Sequence, residues 1–170
     1  TKLGNIHFDS NTAAYFKEKE LAFFDYYLKN KGTMDLAEAT IFVTGANEWM
    51  EFGDWPPSEA ETMSLYLDCE ETLSFAASTQ ADCFEEYIAD PDKPVPYTED
   101  VHLRRTREYL TDDQRFASRR PDVMVYQTEI LQDDITLVGP IDVNFYVSTS
   151  GTDADYVVKI IDVFQIDTGG

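Results

Sequence analysis

The sequence lacks several of the motifs by which enzyme active sites are recognised. It has no Gly-x-Ser-x-Gly segment, so the nucleophile turn of an α/β-hydrolase is missing. It also has no phosphate-binding glycine loop and no dinucleotide fingerprint. The two histidines, His7 and His102, lie far apart without metal-ligand spacing. We interpret them as loop and surface residues, and we predict no catalytic residue, no cofactor and no metal site within this chain.

Basic residues and long apolar runs are scarce as well. Lys and Arg number 13 against 33 Asp and Glu, which gives a formal net charge of −20. Because nucleic acids and anionic membranes attract a positive surface, we expect neither as a partner. A membrane-spanning helix needs roughly 18 apolar residues in a row, and no such run occurs. The chain opens on Thr1 rather than Met, so we expect it to have been processed or cut.

Two cysteines, Cys69 and Cys83, leave two interpretations open. They would form one disulfide closing a short loop if the protein is secreted, or they would remain free thiols. Their neighbours include Asp68, Glu70 and Asp82, whose negative charges oppose thiolate formation. We therefore expect neither cysteine to act as a nucleophile.

The first regular element is an amphipathic helix. It follows the capping oxygens of residues 9–12, and Gly32 is its predicted end. Apolar residues recur at steps of three and four: Ala13, Phe16, Phe23, Phe24, Tyr27 and Leu28. Since a lone helix cannot hide that much aromatic surface, we expect this stripe to dock on a larger body or on a second copy.

From residue 40 onward, short apolar or alternating runs predict β-strands. The predicted strands are residues 41–44, a hairpin of 63–67 with 73–75, 84–88, 122–128, 135–149 (bent at 139–140) and 156–164. Residues 99–110 predict a further helix. This pattern indicates a mainly β fold, a jelly-roll-like β-sandwich preceded by one amphipathic helix. We predict two parts, residues 1–34 and residues 35–170.

Four stretches resemble a known hydrolase family in order and spacing. They include FFDYYL at residues 23–28, FVTGANEW at 42–49, DPDKPVP at 90–96, and DQRF, RPDV and DADYVVKIIDVF within 113–164. The family is that of the α-amino-acid ester hydrolases, with the related cephalosporin acylases, cocaine-esterase-like hydrolases and X-prolyl dipeptidyl peptidases. The chain resembles their C-terminal region, a fragment lacking the catalytic core.

This resemblance implies a parent serine hydrolase acting on α-amino-acid esters, amides or acyl-peptides. In that family a C-terminal jelly roll follows the catalytic α/β-hydrolase domain, which would end with the helix of residues 1–34. The catalytic serine, histidine and aspartate would lie upstream of Thr1, so no residue here inherits those roles. The implied partner is the catalytic domain of the same parent chain, and the implied compartment is secreted or periplasmic. The family also has further strands after residue 164, so we expect a sandwich incomplete at its C-terminus and open to forming a homo-oligomer.

Four residues in the shared motifs are candidates for contact with the catalytic domain: Trp49, Trp55, Phe116 and Arg120. Arg120 precedes Pro121, which favours an extended backbone, so we expect its guanidinium to point outward to a carboxylate or carbonyl. The alternative is a carbohydrate-binding or assembly module. It would use exposed aromatics such as Trp49, Trp55, Tyr97 and Tyr109.

Overall fold

The computed structural model describes residues 2–80 and 83–164. It divides the chain into two compact units, Thr1–Pro140 and Ile141–Gly170. The sheets of the described residues are small, two-stranded and antiparallel, in agreement with a mainly β fold. Residues 165–170, which belong to the second predicted part, lie outside the described residues.

The first unit opens with a tight hairpin of β1 (Lys2–Leu3) and β2 (Ile6–His7). Gly4 in its turn has φ +55°, in the left-handed region that favours glycine. The Thr111 hydroxyl donates to the carbonyl of Leu3 at 3.4 Å. This hairpin therefore packs against the segment around residue 111.

The predicted N-terminal helix is confirmed as α1 (Thr12–Lys29). The side chain of Asn11 caps it by accepting from the Ala14 amide at 3.3 Å. The helix ends earlier than Gly32, because Asn30 takes the left-handed conformation at φ 52°. Asparagine tolerates that conformation better than most residues, so it can close a helix much as glycine does.

Two longer hairpins follow. In the first, β3 (Ala39–Val43) pairs with β4 (Glu48–Phe52), which confirms the strand predicted at 41–44. In the second, β5 (Tyr66–Asp68) pairs with β6 (Thr72–Ser74), so the predicted hairpin is confirmed with shorter strands.

The remaining strands and the second helix differ from those predicted from the sequence. The described residues contain no strand within 84–88, 135–149 or 156–164, and the segment 122–128 contributes a single bridge from Gln127 to Thr72. The predicted helix at 99–110 is reduced to a 3₁₀ turn at Glu108–Leu110, and a short helix, α2 (Arg115–Ser118), follows it. Strand propensity describes side chains that suit a sheet, but a strand also needs a neighbour that accepts its hydrogen bonds. The jelly-roll sandwich accordingly remains a prediction.

Burial is sparse throughout the described residues, of which only Pro57, Thr98 and Ala117 are buried. Large apolar side chains are exposed in each unit, including Leu28 at 73 % and Val157 at 85 %. So much uncovered apolar surface is typical of a region that packs against other protein. Across the described residues, no helix has the length and hydrophobicity needed to cross a bilayer.

Candidate functional site

The best-defined cluster joins α1 to the β3–β4 hairpin through aromatic rings. Tyr15 of α1 stacks on Trp49 of β4, with ring centroids 4.4 Å apart and planes inclined by 20°. Phe42, the cross-strand partner of Trp49, meets the indole edge-on at 5.4 Å. The indole Nε1 is buried, and among the described residues it has no hydrogen-bond partner. The Trp49 side chain therefore packs against residues of this chain.

A polar rim completes this cluster. Glu51 accepts a hydrogen bond from the Tyr15 hydroxyl at 3.2 Å and a second one from the Lys19 ammonium. The Lys19 ammonium also lies 5.5 Å from the centre of the Tyr15 ring. The hydrogen bond between Lys19 and Glu51 raises the pKa of the lysine and lowers the pKa of the carboxyl. The helix is thus held on residues beyond the boundary predicted at 34/35, and that boundary remains a prediction.

Trp55 lies just after β4 and is the more exposed tryptophan, at 41 %. Its ring centroid is 5.8 Å from that of Phe52. The bond from Trp55 to Pro56 is cis, and Gly139 lies close to the Pro56 ring. Of the four candidates, Trp55 keeps the clearest access to a partner surface.

Arg120 does not point outward as expected. Its Nε donates to Asp122 Oδ1 at 2.8 Å, and its Nη2 donates to Asp122 Oδ2 at 2.6 Å and to the Lys93 carbonyl at 2.9 Å. The partner types are those predicted, a carboxylate and a carbonyl, but both belong to this chain. The reason is a turn over Pro121, in which the Val123 amide donates to the Arg120 carbonyl at 3.3 Å and Asp122 is brought back beside the arginine.

The contact between Arg120 and Asp122 also shifts the pKa of both side chains. The hydrogen bond to Asp122 raises the pKa of the Arg120 guanidinium, and the same bond lowers the pKa of the Asp122 carboxyl. Through Lys93, the pair ties the proline-rich segment of residues 90–96 to the turn at residue 120. Arg120 therefore joins two segments of this chain, because its guanidinium donates both to the Asp122 carboxylate and to the Lys93 carbonyl.

Phe116 lies on α2, half-buried and next to the buried Ala117. The start of this short helix carries an ion pair that the sequence reasoning missed, between Arg115 and Asp113. Hydrogen bonds from the Arg115 side chain and amide lower the pKa of Asp113 to about 2. The sequence pattern that could have indicated this ion pair is an acidic residue two positions before a basic residue at the start of a helix.

A second site missed by sequence reasoning surrounds the cysteines. Cys69 and Cys83 form a disulfide, so they are not free thiols. Beside it is a cavity of about 200 Å³, lined among others by Asp68, Ser78 and Tyr126. The Tyr126 hydroxyl donates to Glu85 at 2.9 Å. Burial, followed by this carboxylate, raises the pKa of Tyr126 to about 12.

The four candidates thus fall at two places, Trp49 and Trp55 on and after β4, and Phe116 and Arg120 on and after α2. Within the described residues, no cluster of three or more His, Cys, Asp or Glu side chains is arranged to hold a metal ion. The polar groups in these clusters bond to one another, and the small sheets leave apolar surface open. These features define the class of the chain as a region of small antiparallel sheets with exposed apolar surface.

Comparison with known proteins names the family. The chain belongs to the X-Pro dipeptidyl-peptidase C-terminal non-catalytic domain family, whose model matches residues 30–167. It is 30 % identical over 154 residues to the cocaine esterase of Rhodococcus sp. (strain MB1 Bresler), covering 84 % of this chain and 27 % of the esterase. It also matches the crystal structure of an aminopeptidase from the marine sediment archaeon Thaumarchaeota archaeon, at 34 % identity and a TM-score of 0.66. That match covers 78 % of this chain and 22 % of the aminopeptidase, so the chain spans about a quarter of the length of each relative.

Proposed function

We propose that this chain is the C-terminal non-catalytic region of a serine hydrolase and that it supports the catalytic domain of the same parent protein. Its relatives include an esterase and an aminopeptidase, so the parent is proposed to be a hydrolase of esters or amides. The narrower class, α-amino-acid esters, amides or acyl-peptides, rests on the sequence resemblance. The jelly-roll-like completion of the fold rests on the same resemblance. A secreted or periplasmic location of the parent rests on it too, and the disulfide supports that location.

One observation carries the supporting role: the second half of α1 presents uncovered aromatic surface. Phe23, Phe24, Tyr27 and Leu28 are all exposed. The rings of Phe23 and Tyr27 lie 4.7 Å apart, so they form one continuous patch with their neighbours. Burying one such side chain is worth roughly 2–3 kcal/mol, so several in water are a strong drive toward a partner.

The two halves of α1 have different contacts, and this difference favours the catalytic domain as the protein that covers the patch. Tyr15 and Lys19 in the first half contact the β3–β4 hairpin of this chain. The second half carries the exposed patch, and by resemblance the helix is the last one of the α/β-hydrolase domain. We propose that the catalytic domain covers the patch. A second copy of the chain is the competing occupant.

Hydrolase activity is not expected from the isolated chain, because its sequence has no nucleophile turn. The carbohydrate-binding alternative loses support at Trp49, since a sugar needs a free aromatic face and one face of that indole is stacked on Tyr15.

The test compares the chain with the longer protein encoded by its reading frame. A Gly-x-Ser-x-Gly segment is expected upstream, and a fluorophosphonate probe should label the longer protein but leave this chain unlabelled. Labelling of the isolated chain would overturn its assignment as non-catalytic.

The patch is tested in the longer protein with Phe24→Ser and Leu28→Ser, and with Glu20→Ser on the same helix as the matched control. Each patch variant should destabilise the protein by about 2 kcal/mol, and the control by less than about 0.5 kcal/mol. Equal effects of all three variants would contradict the proposed contact. A concentration-dependent dimer that the patch variants dissociate would assign the patch to a second copy.

A further inference from the structure

The turn between β5 and β6 is held in a conformation that its residues disfavour. Asp68 pairs with Thr72, which leaves Cys69, Glu70 and Glu71 to reverse the chain. Glu70 and Glu71 both have positive φ, at 61° and 60°. Two successive left-handed residues without glycine are costly, so the turn persists only where its surroundings hold it.

The disulfide provides the first restraint on this turn. Cys69 begins the turn and is bonded to Cys83, with Cα atoms 5.8 Å apart. Two residues after Cys83, the Glu85 carboxylate accepts from the Glu71 amide at 3.2 Å. The covalent link thus places a hydrogen-bond acceptor directly on the strained turn.

The same carboxylate reaches a third segment. Its other oxygen accepts from the Tyr126 hydroxyl at 2.9 Å. The next residue, Gln127, donates its amide to the Glu71 carbonyl at 3.1 Å and accepts from the Leu73 amide at 3.0 Å. The segment around Tyr126 therefore meets the hairpin at the turn that the disulfide restrains.

The charges in this region oppose the arrangement. Asp68, Glu70, Glu71 and Glu85 are all acidic and lie on the turn or against it. Like charges at short distance repel, so without the covalent link Glu85 would tend to move away from the turn. Cys83 is an exposed residue, so a reductant can approach the disulfide from its end.

We propose that the Cys69–Cys83 disulfide is a redox-sensitive latch that holds the segment around Tyr126 on the β5–β6 hairpin. In the oxidised state, the bridge keeps Glu85 between Glu71 and Tyr126. A dithiol reductant supplies two electrons and two protons, the S–S bond breaks, two cysteine thiols form, and the dithiol becomes a disulfide. The turn then relaxes, and the hydrogen bonds of Gln127 are lost. This inference is independent of the proposed role in a hydrolase.

Amide hydrogen exchange of the full chain tests the latch before and after reduction with dithiothreitol. The amides of Leu73 and Gln127 should exchange roughly tenfold faster or more in the reduced chain, while the β3–β4 hairpin changes by less than about twofold. The Cys69→Ser/Cys83→Ser variant should match the reduced chain and should not respond to dithiothreitol. Unchanged exchange at Leu73 and Gln127 would overturn the proposal.

Two further outcomes keep the test decisive. Equal loss of protection in the β3–β4 hairpin on reduction would make the disulfide a general staple and would also overturn the latch. If the double serine variant does not fold, Glu85→Gln with the disulfide intact provides the second measurement. Because this change removes the acceptor charge but leaves the link, it should speed exchange at Gln127 less than reduction does. If Glu85→Gln speeds exchange at Gln127 as much as reduction does, or more, the disulfide does not control this contact and the proposal is wrong.

Discussion

Tyr15 and Trp49 stack nearly face to face, with ring centroids 4.4 Å apart, although 33 residues separate them in the chain. Their contact joins the first half of α1 to β4, and the Tyr15 hydroxyl donates a hydrogen bond to the Glu51 carboxylate. The N-terminal helix is therefore an integrated part of the first unit rather than a loose extension. The exposed aromatic patch lies further along the same helix.

Removing the Tyr15 ring should weaken this junction. We expect Tyr15→Ala to lower the free energy of unfolding by about 2 kcal/mol, from lost apolar burial and lost stacking. Tyr15→Phe keeps the ring and should cost about 1 kcal/mol, since it removes one hydrogen bond. Urea unfolding monitored by tryptophan fluorescence measures both. Phe16→Ala is the matched control because Phe16 is exposed, and a cost equal to that of Tyr15→Ala would contradict the junction.

The Arg120–Asp122 pair should make stability depend on pH in the acid range. The pKa of Asp122 is lowered in the folded chain, so its contribution is present above the unfolded pKa of about 4 and is lost as pH falls through the folded value. Asp122→Asn should therefore flatten the decline in the urea midpoint below pH 4. Glu61→Gln, at an exposed residue outside this turn, is the control. An unchanged acid decline in Asp122→Asn would show that the pair does not contribute.

Tyr126 should titrate in the opposite sense. Burial and then the Glu85 carboxylate raise its pKa to about 12, which favours the neutral phenol in the folded chain. The resulting stability is fully present below the unfolded pKa of about 10 and is lost as pH rises through about 12. Glu85→Gln removes the negative neighbour, so the pKa of Tyr126 should fall. Carbon-13 NMR of labelled tyrosine follows this titration, with Tyr126→Phe identifying the signal, and an unchanged pKa would contradict the contact.

Gly4 is expected to resist substitution for two separable reasons. Its φ of +55° makes any side chain costly, by about 1–2 kcal/mol for alanine. A Cβ at this position would also collide with the Thr111 hydroxyl. Gly4→Ala should therefore destabilise by more than the backbone cost alone, and Thr111→Ala should recover the part due to the collision. A thermal-unfolding double-mutant cycle measures the coupling, and additive effects would argue against the contact.

Much of the local structure could be predicted because its determinants are close together in the chain. The repeat of Phe16, Phe23 and Tyr27 indicated α1, and turn residues between apolar runs indicated the β3 strand and the β5–β6 hairpin. The runs at 84–88, 135–149 and 156–164 were wrongly assigned as strands for a physical reason. Their side chains suit a sheet, but among the described residues no neighbouring strand accepts their backbone hydrogen bonds.

By itself, the sequence determined the helix, strand β3, the β5–β6 hairpin, the acidic character and, through its motifs, the family. Tertiary structure alone decided which distant groups meet. It paired Cys69 with Cys83, stacked Tyr15 on Trp49 and turned Arg120 back onto Asp122. Side-chain partners depend on the path of the backbone between them, and composition and periodicity carry no record of that path. Arg120 shows this most directly: its preference for a carboxylate followed from its chemistry, but the turn over Pro121 selected the carboxylate.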